Sequence, residues 1–305
     1  MLSTIGIGTY LGNADEATDA NYTKAVVRAV QLGVNVIDTA ANYRFQRSER
    51  SIGRALQILT NQHAVARGDL VICTKGGYLP FDGAPPRNLR EYVNETFVKP
   101  GIASFDDIVG GSHCMTPAYL QNQLEQSLRN MGLEYVDVYY IHNPESQLPY
   151  VSRTEFFERL RLAFERLEQN RAQGKLRHYG VATWNGFRVP PNSGHHHSLV
   201  QMIEVAREVG GEDHGFRFIQ LPFNLAMTEA TTLANETLDG EAVTVVEAAK
   251  RLGITVVASA SLLQGRIDPR DAIQFVRSSP GITTALIGMS RVEHVEENLA
   301  ADERR

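Results

Sequence analysis

The chain has 305 residues, 43% of them hydrophobic, with a formal net charge of −5 and two cysteines. Scattered charges with an acidic excess argue against a polyanion partner, so no nucleic acid is expected, and no stretch approaches the roughly 20 apolar residues of a membrane span. Two isolated thiols, Cys73 and Cys114, and an N-terminus with no basic leader lead to the expectation of a reducing, cytoplasmic setting.

Apolar, β-branched runs of strand length begin at Ile5 (IGIGT), Val34 (VNVID), Leu70 (LVICTK), Val136 (VDVYYIH), His178 (HYGVAT), Phe216 (FRFIQL), Thr255 (TVVASA) and Thr284 (TALIG). Segments with helical spacing of apolar residues separate or follow them: TKAVVRAVQLG, ERSIGRALQIL, PAYLQNQLEQSLRNMG, EFFERLRLAFERLEQNRAQG, SLVQMIEVAREVG, EAVTVVEAAKRLG, DAIQFVRSS and VEHVEENLA. Strict alternation predicts a parallel sheet, and eight pairs suffice to close a (β/α)8 TIM barrel, read as one α/β domain over residues 1–305; a doubly wound sheet is the alternative. Gly33, Gly132 and Gly253 fall where left-handed helix ends are expected.

The longest interval lies between the third and fourth strands. It holds an insertion, residues 76–116, rich in Gly, Pro and aromatic residues, on the face where barrel loops gather, and a role as a substrate cap is expected. A second loop, WNGFRVPPNSGHHH, follows strand five on the same face. Its three adjacent histidines, His195 to His197, cannot all face one ion and read as a flexible loop; His113-Cys114 has no matching pair, so no metal is expected.

Asp38 ends strand two, Lys75 ends strand three and His142 ends strand four, while Tyr43 lies in the loop after strand two. Each alone has a dull explanation, but adjacent strands lie about 4.8 Å apart, so together they would form one cluster at the barrel mouth. A tyrosine is a poor acid at neutral pH unless a cation favours its phenolate; Lys75 would supply the charge, Asp38 would keep Lys75 protonated, and His142 would orient a carbonyl oxygen. That is a proton-donating site suited to carbonyl reduction with hydride from a separate cofactor.

With these residues in place, the chain resembles the aldo-keto reductase family, from GIGTYLG through NVIDTAANYRFQRSERSIGRAL, VICTKGG, VDVYYIHNP, YGVATWN, FIQLPFN and VVASASLLQG to TTALIGMSRVEHVEENLA. The resemblance implies an oxidoreductase transferring hydride between a nicotinamide cofactor and an aldehyde or ketone, with Asp38, Tyr43, Lys75 and His142 as the catalytic tetrad and Tyr43 as general acid. GIGTYLG is not a dinucleotide fingerprint, since its third glycine comes one place late. The resemblance places Gly8, Thr9, Tyr10 and Asp38 along the cofactor. Thr183, Asn185 and Gln220 fall at the nicotinamide carboxamide, Ser259, Leu262 and Gly265 after strand seven, and Gly288, Ser290, Arg291, His294, Glu297 and Asn298 at the adenosine end.

Departures accompany the matches. Ala182-Thr183 stands where many members have Ser-Asn, Ser259 where others stack a tyrosine, and Gly288 and His294 where Lys and Arg commonly meet a 2′-phosphate. Arg291 remains, so NADP(H) is the expected cofactor and NAD(H) the alternative. The substrate is expected to be a small-molecule carbonyl, with Arg44, Tyr78, Phe81, Trp184 and Phe187 as candidate walls and Arg188 nearby. A cofactor-binding regulatory subunit on the same fold is the alternative function. Monomer and homo-oligomer both stay open, and most of the hairpin that commonly plugs the barrel bottom is missing.

Overall fold

The protein is described by a computed structural model over residues 1–303. Its strands are β1 (Ile5–Gly8), β2 (Val36–Asp38), β3 (Val71–Gly76), β4 (Val136–His142), β5 (Leu176–Ala182), β6 (Phe216–Pro222), β7 (Thr255–Ser259) and β8 (Ile282–Gly288). Each pairs in parallel with its chain neighbours, and β8 pairs with β1, which closes the barrel. The outer helices are α1 (Glu16–Gln31), α2 (Arg47–His63), α3 (Pro117–Met131), α4 (Arg153–Ala172), α5 (Leu199–Gly210), α6 (Val245–Arg251), α7 (Pro269–Ser278) and α8 (Val292–Glu303).

The period of two along each strand divides the apolar residues into two sets. Ile37, Ile72, Tyr139, Ile141, Ile219 and Ile287 face the helices and join the large outer core. Val36, Cys73, Val138, Tyr140, Ala182, Phe218, Val257 and Leu286 fill the barrel interior. Leu2 packs against that inner set. The segment around it is tied down by Ser3 N–H to Asn35 Oδ1 (2.7 Å) and Thr284 Oγ1–H to the Ser3 carbonyl (2.9 Å), which holds residues 2 and 3 against the barrel floor.

Local signals set the helix ends. Asp15, Ser152, Ser198 and Thr244 each accept a hydrogen bond from a backbone N–H in the first turn of α1, α4, α5 and α6. Pro117 opens α3, and Gly132 closes it at φ 66°, ψ 38°, a conformation that costs an L-residue with a Cβ.

Two expectations need correction. Residues 241–243 of EAVTVVEAAKRLG are not helical: Glu241–Val243 pairs antiparallel with Glu236–Leu238 around Asp239-Gly240, both at positive φ, and the helix begins only at Val245. The histidine stretch is not a loose loop, because His196 and His197 are buried. The insertion contains a short helix, Leu89–Val93, and a π turn, Asn94–Val98. Leu79, Val93, Phe97, Ala103, Cys114 and Tyr119 form its own small core. Cys73 and Cys114 are both free and buried. Among the described residues no helix is long and apolar enough to cross a membrane.

Space is open around Gly132, so an added methyl meets nothing within 4 Å and only the backbone conformation resists it. Gly132→Ala is expected to lower the unfolding free energy by about 1–2 kcal/mol in urea titrations while leaving the barrel mouth unchanged. An unaltered midpoint would show that the helix end is not held left-handed.

Candidate active site

The inward set of strand positions continues past the apolar interior into polar residues at the mouth. Two residues beyond Val36, Cys73, Tyr140, Phe218, Val257 and Leu286 come Asp38, Lys75, His142, Gln220, Ser259 and Gly288. Parallel register aligns Gly8 with Asp38 and Asp38 with Cys73, and at the next strands His142 with Ala182 and Ala182 with Gln220. The same alternation that packs the core therefore delivers the polar cluster.

Lys75 Nζ donates to Asp38 Oδ1 at 2.5 Å and to the Thr39 carbonyl at 2.8 Å, and Gln220 Nε2 donates to Asp38 Oδ2 at 2.9 Å. Burial works against the Lys75 ammonium, but Asp38 and the Tyr43 phenol outweigh it and its pKa lies above the ordinary lysine value. Burial raises the Asp38 carboxyl, opposed by Lys75 and Gln220. The Tyr43 ring stands over the ammonium, 4.9 Å from Nζ to the ring centroid. Its neighbours are Tyr10, with centroids 5.0 Å apart, and His142, at 5.8 Å. Burial pushes the Tyr43 hydroxyl above the usual tyrosine range, and the attraction of Lys75 offsets only part of that. The expectation that Lys75 leaves Tyr43 acidified thus needs amending, since desolvation wins and the phenol stays protonated. His142 is held neutral, first by burial and then by the Lys75 charge, and its Nδ1 is a buried atom with no hydrogen-bond partner.

Tyr43 is aimed by an unusual turn. Arg44, Phe45 and Gln46 have φ of 49°, 59° and 69°, three consecutive left-handed residues without a glycine, each costing about 1–2 kcal/mol in the absence of compensation. The compensation is visible. Arg44 is buried, donating to the Asn13 carbonyl (2.8 Å), pairing with Asp19 and lying over the Tyr22 ring. The Phe45 carbonyl accepts from Gly83 N–H (3.0 Å), and Gln46 Nε2 donates to the Phe81 carbonyl (3.0 Å).

A cavity of about 700 Å³ runs from this cluster to α8. Gly8, Thr9, Tyr10, Asp38, Thr183, Gln220, Ser259, Leu262, Gly265, Gly288, Ser290, His294, Glu297 and Asn298 line it, together with Tyr43, His142, Tyr78 and Trp184. Its lining combines apolar surface with hydrogen-bonding side chains, as a dinucleotide needs, and Thr183 Oγ1 is buried there with no partner of its own.

Besides Lys75, which stands behind the Tyr43 ring, five residues expected at the site lie outside that lining. The Asn185 backbone N–H and that of Trp184 donate to Glu145 Oε1 at 3.0 and 2.6 Å, which holds the turn; Trp184 lines the cavity and Asn185 does not. Arg291 is exposed and bonds His294 Nε2 at 2.7 Å. Arg44 is consumed by Asp19. Phe81 packs on Phe45 and Tyr92, and Phe187 is fully buried against His197. Arg188 is likewise taken, by Glu229 at 3.0 Å.

Lining residues not anticipated include Leu11, Tyr22, Asn42, Asn143, Ser261 and Leu286. Strand alternation alone could have found Leu286; the others sit in loops or on the outer helix α1. His113, a metal hint in the sequence, has a structural position instead. Its Nε2 donates to the His142 carbonyl (2.8 Å), its Nδ1 accepts from Gln147 (2.8 Å), and burial lowers its pKa to about 4.

A barrel with this polar mouth has counterparts among known proteins. At 25% identity, a Schizosaccharomyces pombe protein named as a putative voltage-gated potassium channel subunit beta matches 99% of this chain and 85% of its own. The Escherichia coli NADH-specific methylglyoxal reductase matches at 25% identity over 59% of this chain and 48% of its own. A Klebsiella pneumoniae aldo/keto reductase, solved in complex with NADP and acetate, shares the fold with a TM-score of 0.62 at 18% identity, over 99% of this chain and 86% of that one. The model of the aldo/keto reductase family matches residues 4–271, and the chain belongs to that family.

Proposed function

We propose that the protein reduces an aldehyde or ketone, or oxidises the corresponding alcohol, with a nicotinamide cofactor, and that Tyr43 is the proton donor. The observation that carries this reading is the meeting of Tyr43, the Lys75–Asp38 pair and neutral His142 at one end of a long cavity. The bound cofactor supplies hydride. The chain supplies the rest: His142, uncharged, keeps an N–H to hydrogen-bond the carbonyl oxygen, and Tyr43 gives that oxygen its hydroxyl proton as negative charge develops there. Lys75 stabilises the phenolate left behind, and Asp38 keeps Lys75 charged.

The cofactor arm of the proposal rests on the distribution of polar groups. Thr183 and Gln220 stand nearest the tetrad, and Ser259 follows on β7. Ser290, His294, Glu297 and Asn298 stand at the far end, where Arg291 is the cation available to a 2′-phosphate. NADP(H) is the cofactor we infer, in keeping with the NADP bound by the Klebsiella reductase. The insertion enters the site through Tyr78, whose hydroxyl shares a hydrogen bond with Ser146 Oγ (2.9 Å) and accepts one from Asn143 (3.2 Å). Two buried free thiols suit a reducing cytoplasm. A regulatory subunit is the second reading, favoured by the name of the Schizosaccharomyces relative, and binding of NADPH without turnover of any aldehyde would support it.

Tyr43→Phe removes one proton donor and little volume. It is expected to lower kcat for aldehyde reduction roughly a hundredfold to ten-thousandfold, with cofactor affinity unchanged; retained turnover would exclude Tyr43 as the acid. The single tryptophan, Trp184, lines the cavity and gives a binding signal. Fluorescence titration of Arg291→Ala should show NADPH weakened about tenfold and NADH unaffected. Equal weakening of both would mean that Arg291 does not meet the 2′-phosphate.

A further inference from the structure

The two ends of the cavity differ in kind. Around the tetrad the lining includes Tyr10, Tyr43, Tyr78, His142, Asn143 and Trp184, with Tyr10 and Trp184 exposed by 59% and 42% at the mouth. These are broad apolar surfaces with a few hydrogen-bonding atoms. No lysine or arginine is among the described residues lining the cavity. Lys75 lies behind Tyr43 and is matched by the Asp38 carboxylate.

Six arginines of the surrounding loops and helices are committed elsewhere. From the β2 loop and the start of α2, Arg44 and Arg47 pair with Asp19, and Arg50 pairs with Asp82 at 2.7 Å. From the β5 loop, Arg188 pairs with Glu229. From α4, Arg153 bonds the His196 carbonyl (3.0 Å), while Arg159 bonds Gln147 and Glu155 (2.7 Å each). A phosphate or carboxylate brought to this end finds no positive partner among the lining residues.

We propose that this site selects carbonyl compounds whose remaining part is uncharged and apolar or aromatic, and discriminates against carbonyl compounds bearing a phosphate or carboxylate. The inference rests on the reductase reading and narrows it: Tyr10 and Trp184 form the platform for the apolar part, and the discrimination comes from the missing cation. Chemistry at the carbonyl is the same for both kinds of substrate, so the difference belongs to binding of the distal group.

The test compares para-tolualdehyde with para-carboxybenzaldehyde, which have the same ring and differ chiefly in the charge of the distal group, at saturating NADPH. The expected kcat/KM ratio favours the neutral compound by about a hundredfold, as expected when one charge-assisted contact is missing. Tyr10→Arg, which places a cation on the platform, should shrink that ratio at least about tenfold by raising turnover of the carboxylate. A ratio near one, or one favouring the carboxylate, overturns the proposal, and so does a Tyr10→Arg variant that keeps its NADPH affinity and its turnover of the neutral aldehyde but leaves the ratio unchanged. Failure of both aldehydes to turn over counts against the reductase reading instead. In that event Trp184 fluorescence of the NADPH-saturated protein, titrated with each aldehyde, still decides the inference: tighter binding of the neutral compound supports it, and equal or reversed affinities overturn it.

Discussion

A lysine ammonium buried inside a barrel cannot stand alone, and the arrangement of the mouth follows from that constraint. Lys75 is held by Asp38 on the neighbouring strand and by the Thr39 carbonyl one residue later, while the second Asp38 oxygen is held by Gln220 from across the barrel. Three strand ends are thus tied through one carboxylate. Such a pair is poor evidence of stability, because desolvating both ions cancels much of their attraction, and removing either partner costs about 3–5 kcal/mol by leaving the other stranded. Its retention makes more sense as a fixed charge beside a reactive group than as a device to stabilise the barrel.

That charge acts on Tyr43 and His142 in ways that suit the proposed reaction. It keeps His142 neutral, reinforcing burial, and it partly offsets the desolvation that raises the Tyr43 phenol. A protonated donor and a neutral hydrogen-bonding ring are what carbonyl reduction asks of these positions. The left-handed turn at residues 44–46 has a related consequence. Holding it requires Arg44 to be buried with Asp19, which removes from the cavity mouth a cation that could otherwise have met an anionic substrate. The geometry that aims Tyr43 therefore also takes one cation, Arg44, away from the cavity.

Much of the site is legible in the sequence because strand alternation is strict. Once Val36, Cys73, Tyr140 and Phe218 are assigned inward, Asp38, Lys75, His142 and Gln220 follow by counting two. Loops obey no such rule. Arg44, Phe187 and Asn185 are expected at the cavity from their place in the sequence, yet each is set by a long-range partner, namely Asp19, His197 and Glu145. The histidine stretch shows the same limit. His196 reaches the Asn235 carbonyl at 3.0 Å, and His197 stacks on Phe156 with centroids 5.2 Å apart, both partners far away in the chain. By contrast the Asp239-Gly240 hairpin carries a local signal, which the helical spacing of the following residues obscures.

The central claim is that Lys75 favours the phenolate of Tyr43 against the pull of burial. Isotope-labelled tyrosine ring carbons, followed by NMR across the alkaline range in the wild type and in Lys75→Met, report the Tyr43 pKa directly. The account predicts a wild-type value above that of free tyrosine and a higher one in Lys75→Met, where the opposing charge is gone. An unchanged or lowered Tyr43 pKa in the variant would contradict it.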